Sequence, residues 1–145
     1  MLSIIIPTKN ESKVILKTLL PLQKLRKNKT CEIILVDGNS SDSSIKIAKP
    51  YVDKILISQS DRSMQQNIGA SVCKNNLLLF LHADTKINLE DVENIILQNK
   101  EITWGFFKIK FDNSQIRYRF LEFFINLRSL LFKYGTGDQC LFMSK

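Results

Sequence analysis

Several features that would place this chain in a familiar class are missing. No apolar run reaches the ~20 residues that span a bilayer. The amino-terminal stretch MLSIIIPTKN lacks the basic n-region and the length of a signal peptide. These two absences together predict a cytosolic protein.

Cysteine motifs are missing as well. The three cysteines, Cys31, Cys73 and Cys140, are widely spaced, odd in number and form no CxxC pair. This pattern argues against a disulfide framework and against a zinc knuckle. We expect them to be buried free thiols.

The chain also lacks the usual phosphate-binding loops. No GxGxxG follows the first strand and no GxxxxGK[ST] occurs, which disfavours a dinucleotide-binding Rossmann domain, a P-loop ATPase and a nucleotidyltransferase. The net charge of +7 favours an anionic partner, such as nucleotide phosphates or an acidic membrane surface. No aromatic-rich basic signature of an RNA-binding sheet is present, so we predict no nucleic-acid partner.

What the chain does contain is an alternation of strands and helices. Its 145 residues, of which 44% are hydrophobic, suit one domain with a real core. The alternation predicts an α/β fold, with a mostly parallel sheet and helices on both faces. Strands are predicted at 2–6, 32–36, 54–57 and 77–81, and helices at 11–25, 42–48, 62–73 and 90–98.

The pattern changes after residue 102. TWGFFKIKF predicts a longer strand at a sheet edge, and IRYRFLEFFINLRSLLFKY predicts an amphipathic helix unusually rich in phenylalanine. YGTGDQ is a predicted loop, and QCLFMS begins a further strand.

Polar residues follow each predicted parallel strand. Right-handed crossovers bring the carboxyl ends of such strands to one edge, where open sheets bind their ligands. Asp37 and Asp84 lie there, and a carboxylate can accept an N–H from a nucleobase or bind a hard divalent cation. Arg62, at a helix start, adds a cation and free N–H groups for phosphate oxygens.

Each of these residues also has a structural interpretation. Asp37 precedes a Gly-Asn turn and can satisfy the N–H groups of that turn. Asp84 with Thr85 can cap a loop. His82, the only histidine, can be a satisfied structural residue.

The helix predicted at 62–73 has two features of its own. Met64, Ile68 and Val72 lie four apart on one face, which predicts a core stripe. Gly69, in mid-helix, costs about 1 kcal/mol against alanine, so some group is expected to approach it closely.

Four segments in order, IIIPTKNE, IILVDGNSSD, DRSMQQNIGA and LLLFLHADT, resemble the nucleotide-binding half of family 2 glycosyltransferases, which have the GT-A fold. HADT and YGTGDQ resemble more narrowly the selenodomain-associated transferases. The resemblance covers essentially the whole chain. It implies a single domain, 1–145, in which 1–101 is the nucleotide-binding half and 102–145 begins the acceptor half.

The resemblance implies roles for individual residues on a nucleotide-diphosphate sugar, most simply a UDP-sugar. Asp37, beside Gly38, would accept the N3–H of the base, and Arg62 would lie on the diphosphate side. The nucleotide-binding set that the resemblance implies is Pro7, Thr8, Glu11, Asp37, Gly38, Arg62, Asn67, Gly69, His82 and Ala83.

Asp84 matches the last acid of the family's Asp-x-Asp motif, so the resemblance implies that it holds Mg2+ or Mn2+. His82 takes the place of the first acid of that motif. This departure leaves one carboxylate fewer for the metal, and a neutral imidazole there can contact the ribose or the metal.

The resemblance implies inverting transfer of the sugar, with a carboxylate base that deprotonates the acceptor hydroxyl. Asp138 is the only acid near the end of the chain that matches such a role. In the subgroup, a segment with a Glu-Asp pair normally follows and is a better candidate. Since the sequence stops at Lys145, two alternatives stand: an active transferase, or a non-catalytic or partner-completed nucleotide-sugar-binding module.

The phenylalanine-rich segment 115–134 leaves further alternatives open. Its apolar face packs on the sheet or on a segment outside this chain, forms a homo-oligomer, or associates peripherally with a membrane. The residues that carry this face are Phe120, Phe123, Phe124, Leu127 and Leu131, flanked by Arg117, Arg119, Arg128 and Lys133.

Overall fold

A computed structural model describes residues 1–98, 103–112, 114–136 and 139–145. Strands and helices alternate through the first hundred residues, as predicted. The strands are β1 (Leu2–Thr8), β2 (Cys31–Asp37), β3 (Lys54–Ile57), β4 (Leu77–Phe80), β5 (Trp104–Phe106) and β6 (Leu141–Ser144). The helices are α1 (Ile15–Lys27), α2 (Ser44–Ala48), α3 (Arg62–Ser71), α4 (Leu89–Leu97) and α5 (Ile116–Phe132), with one 3-10 turn at Lys49–Tyr51.

The strands form one sheet in the order β3-β2-β1-β4-β6-β5. β1 to β4 are parallel, and Ile4 of β1 pairs with Ile33 on one side and with Leu79 on the other. β6 runs antiparallel to both β4 and β5. The predicted α/β fold with a mostly parallel sheet flanked by helices is therefore confirmed.

One face of the sheet carries the larger core. Ile4 and Ile33 point to this face and pack with Leu19 and Leu22 of α1, and all four side chains have no exposed surface. Because helices cover the sheet, its central strands are apolar on both faces rather than alternating with polar residues.

The other face packs against α3. An added Cβ at Gly69 would lie 2.4 Å from Ile5 Cγ2 and 3.2 Å from Val36 Cγ2. The close approach expected at Gly69 is therefore the sheet itself. Ile68 and Val72 also pack on this face, but Met64 is 43% exposed, so its assignment to a core stripe is wrong.

Two predicted strand boundaries are wrong. β1 does not break at Pro7, which pairs with Val36 of β2. Pro7 lies beyond the last pair of β1 with β4, so its missing N–H removes no ladder hydrogen bond on that side. β5 lies at a sheet edge as predicted, but it spans only Trp104–Phe106, because the chain beyond it is held by α5 rather than by a strand.

Candidate nucleotide-sugar site

The carboxyl ends of β1, β2, β3 and β4 share one edge of the sheet. β6 is antiparallel, so it begins at this same edge. A groove of about 1340 Å³ opens there, between the segment that follows β4 and the segments that flank α5. Arg62, His82 and Asp84 line one part of the groove, and Thr136 and Gln139 line another.

Asp37 ends β2 and is fully buried. Its Oδ2 accepts a hydrogen bond from the Ser40 N–H (2.7 Å), and its Oδ1 accepts one from the Ser40 hydroxyl (2.5 Å). Asn39, which lies in the turn between Asp37 and Ser40, has a left-handed φ of 59°. Each carboxylate oxygen therefore accepts a hydrogen bond from the turn that follows β2.

Pro7 and Thr8 lie inside the sheet rather than in a loop. Thr8 is buried, and its carbonyl accepts the Gly38 N–H (2.8 Å), which continues the pairing of β1 with β2 past the last strand residue. The two strand ends are thus joined at the predicted base-binding edge.

Gln65 of α3 strengthens this joint, although no sequence pattern marks it as a structural residue. Its buried Nε2 donates to the Thr8 carbonyl (3.0 Å) and to the Val36 carbonyl (2.7 Å). An added Cβ at Gly38 would lie 3.2 Å from this nitrogen. A side chain at position 38 would therefore crowd Gln65 and the Ser60 main chain, whatever its contact with a nucleotide.

Glu11 follows β1 and lies in an acidic environment. Partial burial raises the pKa of its carboxyl, and the nearby charges of Asp84 and Asp42 raise it further. Asp42 is exposed, and hydrogen bonds from Ser44 and Ser12 hold the pKa of its carboxyl below the ordinary value. Glu11 therefore lies close enough to Asp84 for the two carboxylates to repel each other.

The residues after β4 pass from the interior to the surface. His82 is 9% exposed, and Ala83 is buried in the core, where its carbonyl accepts the Thr18 hydroxyl (2.7 Å). Asp84 is exposed and lines the groove. Of these three residues, His82 and Asp84 line the groove and Asp84 alone is exposed, while Ala83 anchors the segment to α1.

Arg62 begins α3 and is exposed in the groove. Asp61 caps this helix by accepting the Met64 N–H (2.7 Å). Arg62 thus brings a cation to the groove, while the Asp61 carboxylate satisfies one N–H of the helix start.

The structure does not bring Asn67 and Gly69 to this edge. Gln65 and Gly69 are buried against the sheet, so Asn67, two positions from each, lies on the opposite side of α3 and is exposed. Gly69 packs on the sheet face. The resemblance placed both residues with Arg62, but Gly69 packs on the sheet face about two turns further along α3, and Asn67 faces away from the sheet.

The donor set for a metal is small. Within the ranges that the structure describes, no three His, Cys, Asp or Glu side chains converge on one point. Mg2+ commonly uses one or two carboxylates together with substrate phosphates, and Asp84 with nearby Glu11 fits that requirement. Asp138, the predicted base, lies outside the described residues.

Helix α5 forms the far wall of the groove with its polar side. Asn126 exchanges two hydrogen bonds with the main chain of Ile109, each 2.9 Å long. Glu122 is buried, accepts the Phe111 N–H and pairs with Arg119. The interpretation in which the apolar face of this helix packs on the sheet is therefore wrong.

The apolar face of α5 is exposed instead. Phe120, Phe124 and Leu131 lie at least half exposed on the side opposite Glu122. No helix within the described ranges combines the length and hydropathy that a membrane span needs.

The expectation of buried thiols is confirmed for two of the three cysteines. Cys31 and Cys140 are buried thiols outside any disulfide, but Cys73 is only half-buried. Burial raises the pKa of the Cys31 thiol to about 12, so it stays protonated.

A mixed sheet in this order, with acids and an arginine at the carboxyl edge of its parallel strands, has the architecture of GT-A glycosyltransferases. Residues 3–141 match the glycosyl transferase family 2 model. The chain belongs to this family.

A curated relative is the 4,4'-diaponeurosporenoate glycosyltransferase of Staphylococcus haemolyticus. It is 29% identical over 106 residues, which cover 68% of this chain and 28% of the relative. The chain thus spans less than a third of that relative.

Similar solved structures carry the same fold. Staphylococcus aureus TarS, residues 1–349 in complex with UDP-GlcNAc, superposes with a TM-score of 0.65 at 24% identity, over 79% of this chain and 36% of that one. Mannosyl-3-phosphoglycerate synthase from Rubrobacter xylanophilus superposes with a TM-score of 0.66 at 13% identity, over 99% of this chain and 53% of that one.

Proposed function

We propose that this domain binds a nucleotide-diphosphate sugar, of the uridine type, along the carboxyl edge of the sheet and takes part in its transfer to an acceptor. The observation that carries the proposal is the groove in a family 2 domain where Arg62, His82 and Asp84 meet. The TarS complexes with UDP and UDP-GlcNAc support the choice of uridine.

Each end of the ligand meets suitable chemistry. The base and ribose lie against Pro7, Thr8 and the Asp37–Gly38 turn, and the phosphate oxygens accept from Arg62 and the start of α3. A Mg2+ or Mn2+ ion held by Asp84 and phosphate oxygens, close to Glu11, would neutralise charge on the leaving diphosphate.

The proposed transfer inverts the anomeric centre. The acceptor hydroxyl attacks the anomeric carbon from the face opposite the diphosphate, a carboxylate takes the hydroxyl proton, and the bond to the nucleoside diphosphate breaks. Asp138 is the proposed base. The second candidate is a module that binds the nucleotide sugar without turnover by itself.

The test is calorimetry of UDP binding with and without Mg2+ or Mn2+. Asp84→Asn is expected to remove the effect of the metal on UDP affinity, whereas Asp91→Asn, an exposed acid of the same groove, is expected to keep it. A folded wild-type chain that binds no UDP with metal present contradicts the proposal. UDP release from a UDP-sugar, measured with and without acceptors, separates transfer from binding alone.

We also propose that the domain works in the cytoplasm and associates with an anionic membrane surface through residues 115–134. The outward face of α5 is apolar, Arg117 and Arg128 flank it exposed, and the only acid of the helix, Glu122, is buried on the other side. An apolar face with flanking cations is the pattern of helices that lie in the membrane interface.

Co-sedimentation with anionic and neutral vesicles tests this association. Phe120→Asn with Phe124→Asn is expected to abolish binding to anionic vesicles, and Leu20→Asn, an equally exposed apolar position on α1, is expected to preserve it. A wild-type chain that stays in the supernatant, or one that forms a dimer lost in the Phe120/Phe124 variant, contradicts the membrane proposal.

The narrower resemblance to selenodomain-associated transferases is also proposed, on the HADT segment after β4 and the YGTGDQ segment before β6. It predicts that a histidine replaces the first acid of the Asp-x-Asp motif at position 82. Restoring the acid with His82→Asp is expected to tighten metal binding at Asp84, as measured by the metal dependence of UDP affinity.

A further inference from the structure

The side chain of Gln139 is held in a single orientation beside the groove. It is 1% exposed, and its Oε1 accepts from the Ser129 hydroxyl (2.8 Å), the Thr136 N–H (2.9 Å) and the Thr136 hydroxyl (3.2 Å). Because a main-chain N–H can only donate, the amide oxygen must face Thr136. The NH2 group of Gln139 therefore points away from this cluster.

That NH2 group is an unsatisfied donor. In the described part of the chain, Gln139 Nε2 is buried and has no hydrogen-bond partner. The main-chain groups of Gln139 are already paired. Its carbonyl accepts the Phe107 N–H (2.8 Å), and its N–H donates to the Thr136 carbonyl (3.0 Å). Leaving a buried donor unpaired destabilises the folded chain, and such groups are rare in native proteins.

The position of Gln139 links this donor to the site. Gln139 lines the groove with Arg62 and Asp84. β6 pairs with β4 through Leu79 and Phe142, so continuing the same register past the strand ends places Gln139 opposite His82. Cys140, which follows, has a left-handed φ of 48°, a strained conformation of the kind found at functional sites.

We propose that Gln139 Nε2 donates a hydrogen bond to an oxygen of the sugar in a bound nucleotide sugar. This inference rests on the proposed function. Along the edge the order is β2, β1, β4, β6, with the base assigned to the first two strands and the diphosphate to Arg62 and Asp84 at β4. Gln139 lies one strand spacing, about 4.8 Å, beyond β4. The sugar, which is attached to the diphosphate, is expected at that position.

The test compares affinities for UDP and for UDP-sugars, with UDP-GlcNAc and UDP-glucose as probes and Mg2+ present. Gln139→Glu keeps an oxygen for Thr136 and Ser129 but loses the NH2 donor. It is expected to lower UDP-sugar affinity about tenfold relative to UDP affinity. Gln139→Met also lacks the donor and carries no charge. It is expected to lower the ratio of UDP-sugar affinity to UDP affinity in the same way, and it replaces the glutamate variant if that variant does not fold.

Ser129→Ala is the matched control, because it removes one partner of Oε1 and leaves the NH2 group in place. It is expected to lower the melting temperature without changing the ratio of the two affinities. A Gln139 variant that loses UDP and UDP-sugar affinity equally, or that loses neither, overturns the inference, whereas the proposed function stands as long as the wild-type chain binds both probes. A wild-type chain that binds neither probe overturns the proposed function and this inference with it.

Discussion

Replacing Gln65 by methionine tests whether one side chain holds the nucleotide edge together. The Gln65 amide bridges the Thr8 carbonyl at the end of β1 and the Val36 carbonyl in β2. Methionine has a similar length and fills the same space, but it cannot donate. The substitution therefore removes two hydrogen bonds and leaves the packing of α3 largely unchanged.

The expected loss of stability follows from those two bonds. An internal hydrogen bond contributes about 0.5–1.5 kcal/mol, so the pair contributes about 1–3 kcal/mol. The Thr8 carbonyl keeps the Gly38 N–H at 2.8 Å, so it is not left without a donor. We expect a destabilisation of about 2 kcal/mol, which corresponds to a fall in melting temperature of about 4–8 °C for a chain of this size.

Urea unfolding and thermal unfolding measure this loss, and calorimetry measures the effect on UDP binding. Gln66→Met is the control, because it makes the same chemical change one position along α3 at a half-buried site. It is expected to alter stability by less than about 0.5 kcal/mol. If Gln65→Met is no more destabilising than Gln66→Met, Gln65 does not hold the strand ends and the reasoning is refuted.

Three further outcomes are expected. Gly69→Ala should destabilise the fold by about 1–3 kcal/mol in urea unfolding, since the added Cβ would lie 2.4 Å from Ile5 Cγ2. In a double-mutant cycle, Ile5→Ala should reduce that loss, and equal losses in both backgrounds would exclude the clash. Glu11→Gln should raise the melting temperature near neutral pH, where Glu11 is charged beside Asp84. Because the pKa of Glu11 is raised in the folded chain, the wild type loses stability as the pH rises through that pKa. The stability advantage of the Gln variant should therefore vanish toward about pH 4. A difference in melting temperature that does not depend on pH would argue against charge repulsion. Cys31 should resist alkylation until the chain unfolds, as followed by mass spectrometry; rapid labelling of the native protein would contradict its burial.

The sequence alone was enough for the order of elements and for the parallel sheet. Apolar runs such as IILV and LLLFL, each followed at once by polar residues, mark buried strands and their carboxyl ends. Topology then places Asp37, Arg62 and Asp84 on one edge, because parallel strands connected by right-handed crossovers leave no other arrangement. These local and topological rules do not depend on which side chains meet.

Tertiary contacts decided what each of those residues does in the folded chain. Asp37 turned out to hold its own turn through Ser40, and Gly69 proved to be required by Ile5 rather than by a ligand. Gln65 carried no visible signal, and YGTGDQ marked the segment of Gln139 but not its role, because no sequence pattern distinguishes a buried, hydrogen-bonded amide from a solvated one.

The largest departure is α5. Its amphipathic pattern was evident from the sequence, but the side that faces the protein was not. Periodicity shows that one face differs from the other, whereas the partners decide which face is covered. Asn126 and Glu122 satisfy the otherwise unpaired main chain around Ile109 and Phe111, so the polar side turns inward and the phenylalanines turn outward. The path of the chain after β5 decides which face of α5 points inward, because it brings backbone groups that need hydrogen-bond partners next to the helix.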